Sequence, residues 1–439
     1  MRWQRTTIVR CLLGVYLVAF AALALYDTPL QPAVAEFFSV PSTTVPEAEN
    51  GYFALLGFGA PAGADIHAFG RKTFQTAMDK AAQRRSRNVQ AGPQSDSVSD
   101  AKLNFKGKDL PKDSFYLFMT GSSKSLDRLV EDNRELLARY QTLKRYRRIV
   151  EPAVKDGQSQ DQPIPTFMPV RSIQTLALMS VLRQAHQGRV DEALGQLGDD
   201  LVYWRAVLQQ GHTLITKLIA IACLQRDHQV LSEMIAHTDL SGSQRARIRA
   251  MLPPWRPEDT SFSEALRYEA FYLSDALFAS VPQRGPLDRL FLKPNATRNA
   301  IARMQMANAD MAALSADRFY KKLPLVSGQL SAAVRLKPDV LYNPIGAILM
   351  SIAVPQYSGY FARGHELEAK RRMVMIHLLA KEKGIGFDGM ETFLQQLGTE
   401  YRNPYTNQPM QWDAKKKAIV MDSLPAKGKE EQRRVELVL

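Results

Sequence analysis

Three apolar-periodic segments between Ser172 and His237 constrain the fold of this chain most strongly. In each segment, large apolar residues recur every three or four positions, which is the spacing of one face of an α-helix. Gly188 and Gly211 separate the segments, and glycine commonly follows the last residue of a helix. Because such short connections make neighbouring helices antiparallel, the pattern predicts a helical bundle here.

Helical spacing continues on both sides of this bundle. Leu126 to Leu143 form one broad apolar face, so we expect one helix that begins after Ser125 and ends at Glu151-Pro152. Asn295 is the expected N-cap of a later helix, and Gly384 the expected stop of another. The later helices are expected at 241–251, 262–280, 296–320, 366–383 and 389–397.

The segment AHQGRVDEAL (185–194) resembles the turn of a tetratricopeptide-type hairpin. That architecture needs several stacked units with a period of about 34 residues. The chain has no clean repeat of that length. The sequence therefore predicts a mainly α fold, an irregular antiparallel helical bundle or hairpin array with one N-terminal transmembrane helix and a small C-terminal β-hairpin.

Several regions lack the helical period. Residues 36–114 are expected to be an irregular membrane-proximal segment and linker, with a docked loop and a short helix within 50–71. Residues 344–355 are apolar but too short to span a bilayer, which favours a buried, turn-bounded segment. Apolar stretches at 410–413 and 418–421 flank a lysine-rich turn and predict the hairpin. Residues from Pro425 onward are expected to form a frayed, charged tail.

The N-terminus is typical of a membrane-directed segment. Arg2, Arg5 and Arg10 precede the uncharged run Cys11 to Tyr26, and Asp27 ends it. Positively charged flanks tend to stay in the cytoplasm, so the remainder of the chain is expected on the far side of the membrane. With residues 6–9 included, the run approaches the roughly 20 residues that span a bilayer.

Two alternatives to a retained anchor stay open. Ala33-Val34-Ala35 fits the small-residue cleavage site of a signal peptide, although a long spacer with Asp27 and two prolines precedes it. The segment could also be a core helix of a cytosolic protein. The predicted organisation is an anchor or signal segment at 1–35, a linker at 36–114, a helical body at 115–400, and a hairpin with tail at 401–439.

The sequence offers no strong catalytic or metal motif. The two cysteines rule out a disulfide scaffold, and Cys223 is interpreted as a small core hydrophobe. His365-Glu366 lacks the second histidine of a zinc-hydrolase helix, and residues 120–125 lack the second glycine of a phosphate loop. No alternation of strands and helices supports a dinucleotide fold. No catalytic, cofactor-binding or metal-ligating residue is assigned, and no cofactor is expected.

The charge of the chain points to anionic partners. Lys+Arg 57 against Asp+Glu 44 gives a formal charge of +13, with basic clusters at 84–87, 144–148, 370–372 and 415–417. Such a field favours anionic lipid headgroups, an anionic envelope polymer or an acidic protein surface. Nucleic acid is not expected, because the anchor carries the body away from the cytoplasm. Each cluster taken alone is interpreted as a solvated helix face or turn.

Aromatic residues suggest one further site. Six of them could line a groove, although the alternative is that they form the core and rim of the bundle. The six are Tyr268, Phe271, Tyr272, Phe278, Phe319 and Tyr320.

Four local patterns give the chain a family resemblance: ENGYFALLGFGAP…HAFGR (49–71), FLKPNATRNAIARM (291–304), LYNPIGAILM (341–350) and RNPYTNQPMQWD (402–413). The chain resembles a family of uncharacterised proteobacterial envelope proteins with an N-terminal membrane segment and a helical body. The resemblance implies location and architecture. It implies no activity and no catalytic residue.

The sequence thus favours a periplasmic helical body held at the inner membrane by one helix. The first functional hypothesis is non-enzymatic binding of a partner, or scaffolding, in the cell envelope. It predicts an exposed apolar groove or patch. The alternatives are an envelope hydrolase acting on a polymer or peptide, which needs a pocket with converging titratable groups, and a small-ligand-binding module.

Overall fold

The computed structural model describes residues 25–39, 45–86, 103, 105, 110, 114–121, 123–152, 162–280, 291–323, 342–353, 357–425 and 432–439. The fold is mainly helical, with a small antiparallel sheet near the C-terminus.

The helices and strands are α1 (Pro32–Phe37), α2 (Gly51–Leu56), α3 (Ile66–Ser86), α4 (Phe115–Gly121), α5 (Ser123–Asp132), α6 (Arg134–Leu143), α7 (Phe167–His186), α8 (Val190–Gln210), α9 (Leu214–His237), α10 (Gly242–Met251), α11 (Ser263–Ser280), α12 (Pro294–Ala312), α13 (316–323), α14 (Pro344–Ala353), α15 (Ser358–Glu382), α16 (Met390–Gln396), β1 (Gln411–Asp413), β2 (Ala418–Pro425) and β3 (Gln432–Val438).

The predicted three-helix bundle is confirmed as α7, α8 and α9, which pack on one another in pairs. Gly188 adopts a φ of 85° after α7, a conformation that other residues rarely adopt. Helix α15 covers α9, and the sheet covers α15. The core between these elements holds large, fully buried side chains, including Trp204 and Tyr203.

The ends of two further helices agree with the sequence. Ser241 begins α10 with a capping box, in which its hydroxyl accepts from the Gln244 backbone and the Gln244 side chain accepts from the Ser241 backbone. After α15, Gly384 has a φ of 64° and Ile385 N donates to Ala380 O at 2.9 Å. This hydrogen bond and the positive φ of Gly384 are typical of a Schellman motif, so the predicted stop is confirmed.

Two predicted single helices are each interrupted, so those predictions are wrong. The helix expected between Ser125 and Glu151 is divided into α5 and α6 at Asn133, whose side-chain amide donates to Leu129 O at 2.8 Å. The helix expected at 296–320 ends at Ala312, and α13 follows Ser315. Polar side chains that bond to nearby groups compete with helix continuation at both points.

Residues 36–114 are more ordered than expected, because their described part contains α1, α2 and the 21-residue α3. The prediction of only a loop and a short helix is therefore wrong. Gly57 and Gly70 explain the glycines of this region. A Cβ atom on Gly57 would lie 1.8 Å from Ile66 O, and one on Gly70 would lie 1.8 Å from Phe53 O. The backbones of α2 and α3 approach so closely that only glycine fits.

The C-terminal hairpin is part of a three-stranded antiparallel sheet with order β1-β2-β3. The expected frayed tail after Pro425 is wrong in its described part, 432–439. Strand β3 pairs Val435 with Met421 and Leu437 with Ile419. Both β3 side chains are buried, because they pack between the sheet and α15.

The predicted transmembrane helix, residues 11–26, lies almost entirely outside the described residues. Among the described helices, none combines the length and the apolarity needed to cross a bilayer. Residues 344–353 form α14 rather than a fully buried turn segment, since 58% of Ile348 is exposed.

Candidate functional site

The segment that follows the predicted anchor is fixed to the body. We call residues 26–39 the strap. The Asp27 carboxylate accepts from Asn295 N at 2.8 Å and from Ala296 N at 3.1 Å. These are unpaired donors in the first turn of α12, where a negative charge is stabilised by the helix dipole. The helix begins after Lys293 with Pro294 at its first position, so the predicted N-cap Asn295 is wrong. The cap comes from a residue 268 positions earlier.

A second set of contacts holds the middle of the strap. Gln31 N donates to Asn299 Oδ1 at 3.1 Å, and Asn299 Nδ2 donates to Pro29 O at 3.0 Å. Asn299 is thus a bidentate clamp on the strap backbone. Val34 and Phe37 of α1 are buried, and they form a small apolar cluster with α11 and α12.

A pocket beside the end of the strap collects titratable groups. Its lining includes Phe37 and Ser39 from the strap, with His212, Glu264 and Tyr268 from the body. Burial lowers the pKa of His212 and raises that of Tyr268. The cavity volume is only about 10 Å³, enough for one water. The pocket therefore fits a structural water better than a substrate.

The predicted aromatic groove is divided into two separate clusters. Tyr268 and Tyr272 bond to Gln162, and the phenol of Tyr52 lies within 3.5 Å of the same amide. Phe319 is buried beside the ring of His365 at a centroid distance of 5.1 Å. Tyr320 lies 5.6 Å from Tyr405, Phe271 lies 6.1 Å from Tyr272, and the Phe278 side chain lies outside the described residues. The interpretation as core and rim fits these contacts better than a groove.

A larger opening lies between α8 and α10, and we call it the α8–α10 groove. Its volume is about 450 Å³. Val202 and Ala250 form part of its apolar lining, and both are exposed. Gly198 has no side chain to fill the groove, and the charged residues of its lining are Arg205, Arg247 and Asp199. Arg205 is held by stacking on the Trp255 ring at 3.7 Å, which orders this side of the groove.

The central bundle contains a buried polar cluster. Lys144 Nζ lies 3.2 Å from Asp200 Oδ1, and the Tyr140 hydroxyl donates to the same oxygen at 2.8 Å. Gln174 Nε2 contacts Asp200 Oδ2 at 2.9 Å and Asp227 Oδ1 at 3.0 Å. Burial and the neighbouring Asp200 raise the pKa of Asp227 well above its ordinary value. All five side chains are buried and give the cluster a structural role in holding α6, α7, α8 and α9 together.

Two of the basic clusters turn partly inward, where a solvated face was predicted. Lys144 is the buried partner of Asp200. The Lys370 ammonium donates to Glu436 O on β3, and Arg371 pairs with Glu368 at 2.7 Å while 7% exposed. The cluster at 415–417 lies in the β1–β2 turn, in agreement with the sequence. Over the described residues, no group of three or more His, Cys, Asp or Glu side chains could hold a metal ion.

Asp27 and Asn299 are the site residues that sequence reasoning missed. Asp27 was interpreted only as the end of an apolar run. The available signal was a helix start, KPNAT, without a capping side chain directly before its proline. Comparison with known protein families, curated protein sequences and solved structures finds no match to this chain. The envelope-family resemblance therefore stays an expectation.

Proposed function

We propose that this chain is a membrane-tethered protein whose helical body binds a partner in the cell envelope. The docked strap is the observation that carries the proposal. It begins directly after the predicted anchor and is joined to the body through Asp27 and Asn299. A fixed connection of this kind would hold the body close to a segment inserted in the membrane.

The strap also supports a retained anchor over a cleaved signal peptide. Cleavage after Ala35 would remove Asp27 and with it the cap of α12. It would also remove Gln31 and Val34, which is 1% exposed in the strap cluster. A signal peptide is removed from the mature protein, so its side chains are not expected to form part of the folded core.

Intact-mass measurement of the membrane fraction tests the tether. We expect the full chain in the membrane fraction, resistant to alkaline extraction, and released as a soluble body when residues 1–24 are deleted. A reporter fused after Leu439 is expected to be active only in the periplasm. A mature N-terminus at Glu36 would refute the tether, and reporter activity only in the cytoplasm would refute the topology.

The α8–α10 groove supports binding as the activity of the body. The groove offers exposed apolar surface beside Arg205 and Arg247, and its volume exceeds that of the pocket with titratable groups. The fitting occupant is a short apolar segment of an envelope protein with a carboxylate near Arg247, which would compete with the Asp191 carboxylate 3.9 Å from that guanidinium. An anionic side chain there would also complement the net positive charge of the chain.

Site-specific photocrosslinking in intact cells tests this partner. A photoreactive phenylalanine at Ala250 is expected to give a discrete crosslinked protein. The same residue at Ala246, which is also exposed on α10 but does not line the groove, is the matched control. Val202→Arg is expected to abolish the Ala250 crosslink while the protein level is unchanged. Equal crosslinks from both positions would contradict the groove as the binding site.

A further inference from the structure

An apolar surface lies where the strap enters the body. The exposed fractions of Leu25, Tyr26, Phe291 and Ile348 are 47%, 54%, 53% and 58%. We propose that these four residues form a bilayer face, which rests at the boundary between headgroups and acyl chains of the membrane. This inference rests on the proposed tether and adds which side of the body meets the lipid.

Hydrogen bonds bring the elements of this face together. The Tyr342 hydroxyl donates to Tyr26 O at 2.9 Å, so the start of the strap lies beside the residue that precedes α14 by two positions. Lys293 N donates to Asn343 Oδ1 at 2.9 Å, which joins the start of α12 to the start of α14. The N-terminal ends of both helices therefore meet where the strap begins.

The exposed apolar residues lie close to this junction along the chain. Phe291 precedes Lys293 by two residues, and Ile348 lies about one turn after Pro344, the first residue of α14. The sequence of α14, PIGAILMSIA, contains no charged residue. Ile348 adds to the exposed apolar surface of Leu25, Tyr26 and Phe291 near this junction, and removing such surface from water is favourable.

The position at which the uncharged N-terminal run ends indicates that lipid covers the bilayer face. Leu25 is adjacent to residues 11–24, and a chain extends at most about 3.6 Å per residue. Leu25 must therefore lie within a few ångströms of the hydrocarbon if that run is inserted. Tyr342 is partly exposed, and its hydroxyl donates to the start of the strap at Tyr26 O. An amphipathic tyrosine is typical of the headgroup region.

Lipid contact can be measured with a polarity-sensitive fluorophore on the full chain. The chain is incorporated into nanodiscs of phosphatidylcholine and phosphatidylglycerol in a Cys11→Ser background, and Cys223 is fully buried and does not label. Ile348→Cys and Phe291→Cys carry the label in separate samples. Leu117→Cys is the matched control, because Leu117 is a 69% exposed apolar residue on α4, which packs on α7. Lipids with a spin label near the headgroup act as quenchers.

We expect blue-shifted emission and at least about twofold stronger quenching at positions 348 and 291 than at 117, because an interfacial residue lies roughly 5–10 Å into the boundary. Equal, water-like emission at all three positions in assembled nanodiscs would overturn the bilayer face and leave the tether intact. Failure of the chain to enter nanodiscs would refute the tether and the bilayer face together. A blue shift that depends on protein concentration and not on quencher would assign the surface to a second copy of the chain.

Discussion

Burial and the neighbouring Asp200 favour the protonated form of Asp227 in the core of the bundle. Asp200 and Asp227 are both buried, and Lys144 is the cation 3.2 Å from Asp200. With one adjacent cation for two carboxyl groups, keeping both ionised is costly, and the pKa of Asp227 is raised accordingly. Asp227 Oδ2 has no donor to accept from, so ionisation would leave a buried, charged oxygen without a hydrogen bond.

Asp227→Asn is therefore expected to cost less than about 1 kcal/mol near pH 4, where it replaces one neutral donor by another, and the variant should gain stability relative to the wild type as pH rises. It should also change the pH dependence. Because the pKa of Asp227 is higher in the folded chain than in the unfolded chain, its protonation stabilises the folded chain fully at pH values below the unfolded-state pKa. This stabilisation is lost as pH rises towards the folded-state pKa. In denaturant titrations above the ordinary aspartate pKa of about 4, the unfolding free energy of the variant should therefore rise relative to that of the wild type by up to about 1.4 kcal/mol per pH unit.

Asp200→Asn is the comparison for this prediction. It leaves the buried ammonium of Lys144 without its carboxylate, and breaking a buried pair in this way costs about 3–5 kcal/mol. Equal losses of unfolding free energy in the two variants would contradict the assignment of the proton to Asp227.

Asp27→Ala is expected to lower the unfolding free energy by about 1 kcal/mol, the usual value of a helix cap. The physical reason is the loss of two hydrogen bonds and a favourable charge at the start of α12. The strap should then be cleaved faster in limited proteolysis of the full chain. Glu36→Gln alters an exposed carboxylate of the same strap and should leave the rate unchanged. Equal cleavage rates in wild type and Asp27→Ala would argue against the cap.

Among the helices and strands, the sequence predicted the elements whose positions depend on local apolar periodicity. The ends of α7 and α8 follow from the glycines after them, Gly188 and Gly211, whereas α7 begins at Phe167, five residues before the expected Ser172. The breaks at Asn133 and Ser315 were missed because the apolar period continues across both points, while side-chain hydrogen bonds interrupt the helix. Strand β3 was missed because its arginines suggested a tail, although Val435 and Leu437 alternate with charged residues.

The candidate site was less predictable than the helices, for a physical reason. Asp27 caps α12 across 268 residues, and Lys144 pairs with Asp200 across 56. Neither spacing has a local signature, because only the packing of distant elements creates the contact. The α8–α10 groove likewise depends on how two helices pack. The helical period of the sequence predicts which residues share a face of each helix, but it does not predict the space between the helices.

Strand β3 offers a matched test of the corrected C-terminus. Val435→Ala should lower the unfolding free energy by about 2 kcal/mol, because two buried methyl groups are removed between the sheet and α15. Val438→Ala makes the same change on the same strand at a 48% exposed position and should cost little. Chemical denaturation measures both. Comparable small losses would indicate that β3 does not pack on the body.

At the scale of the whole molecule, three buried histidines make the fold sensitive to acid. Burial lowers the pKa of His228 to about 3, of His365 to about 4 and of His377 to about 3. Each is neutral in the folded protein, and His377 accepts or donates a hydrogen bond with Ser232 at 2.9 Å. They lie on α9 and α15, so protonation would place charge between the two longest described helices.

The expected result is a loss of stability below the ordinary histidine pKa of about 6.5. Because the folded-state pKa of each histidine is lowered, the unfolded chain binds more protons than the folded chain. Stability therefore rises as pH increases to the ordinary histidine pKa, and it decreases as pH drops below that pKa. Each histidine contributes about 1.4 kcal/mol per pH unit between about pH 5 and 6, and the opposite contribution of Asp227 offsets one of the three.

His365→Gln should make the slope of unfolding free energy against pH shallower by the contribution of one histidine in denaturant titrations. Phe319→Leu disturbs the packing against His365 and keeps the titrating ring, so it should lower stability without changing the slope. An unchanged slope in His365→Gln would show that this histidine is not held neutral by the fold.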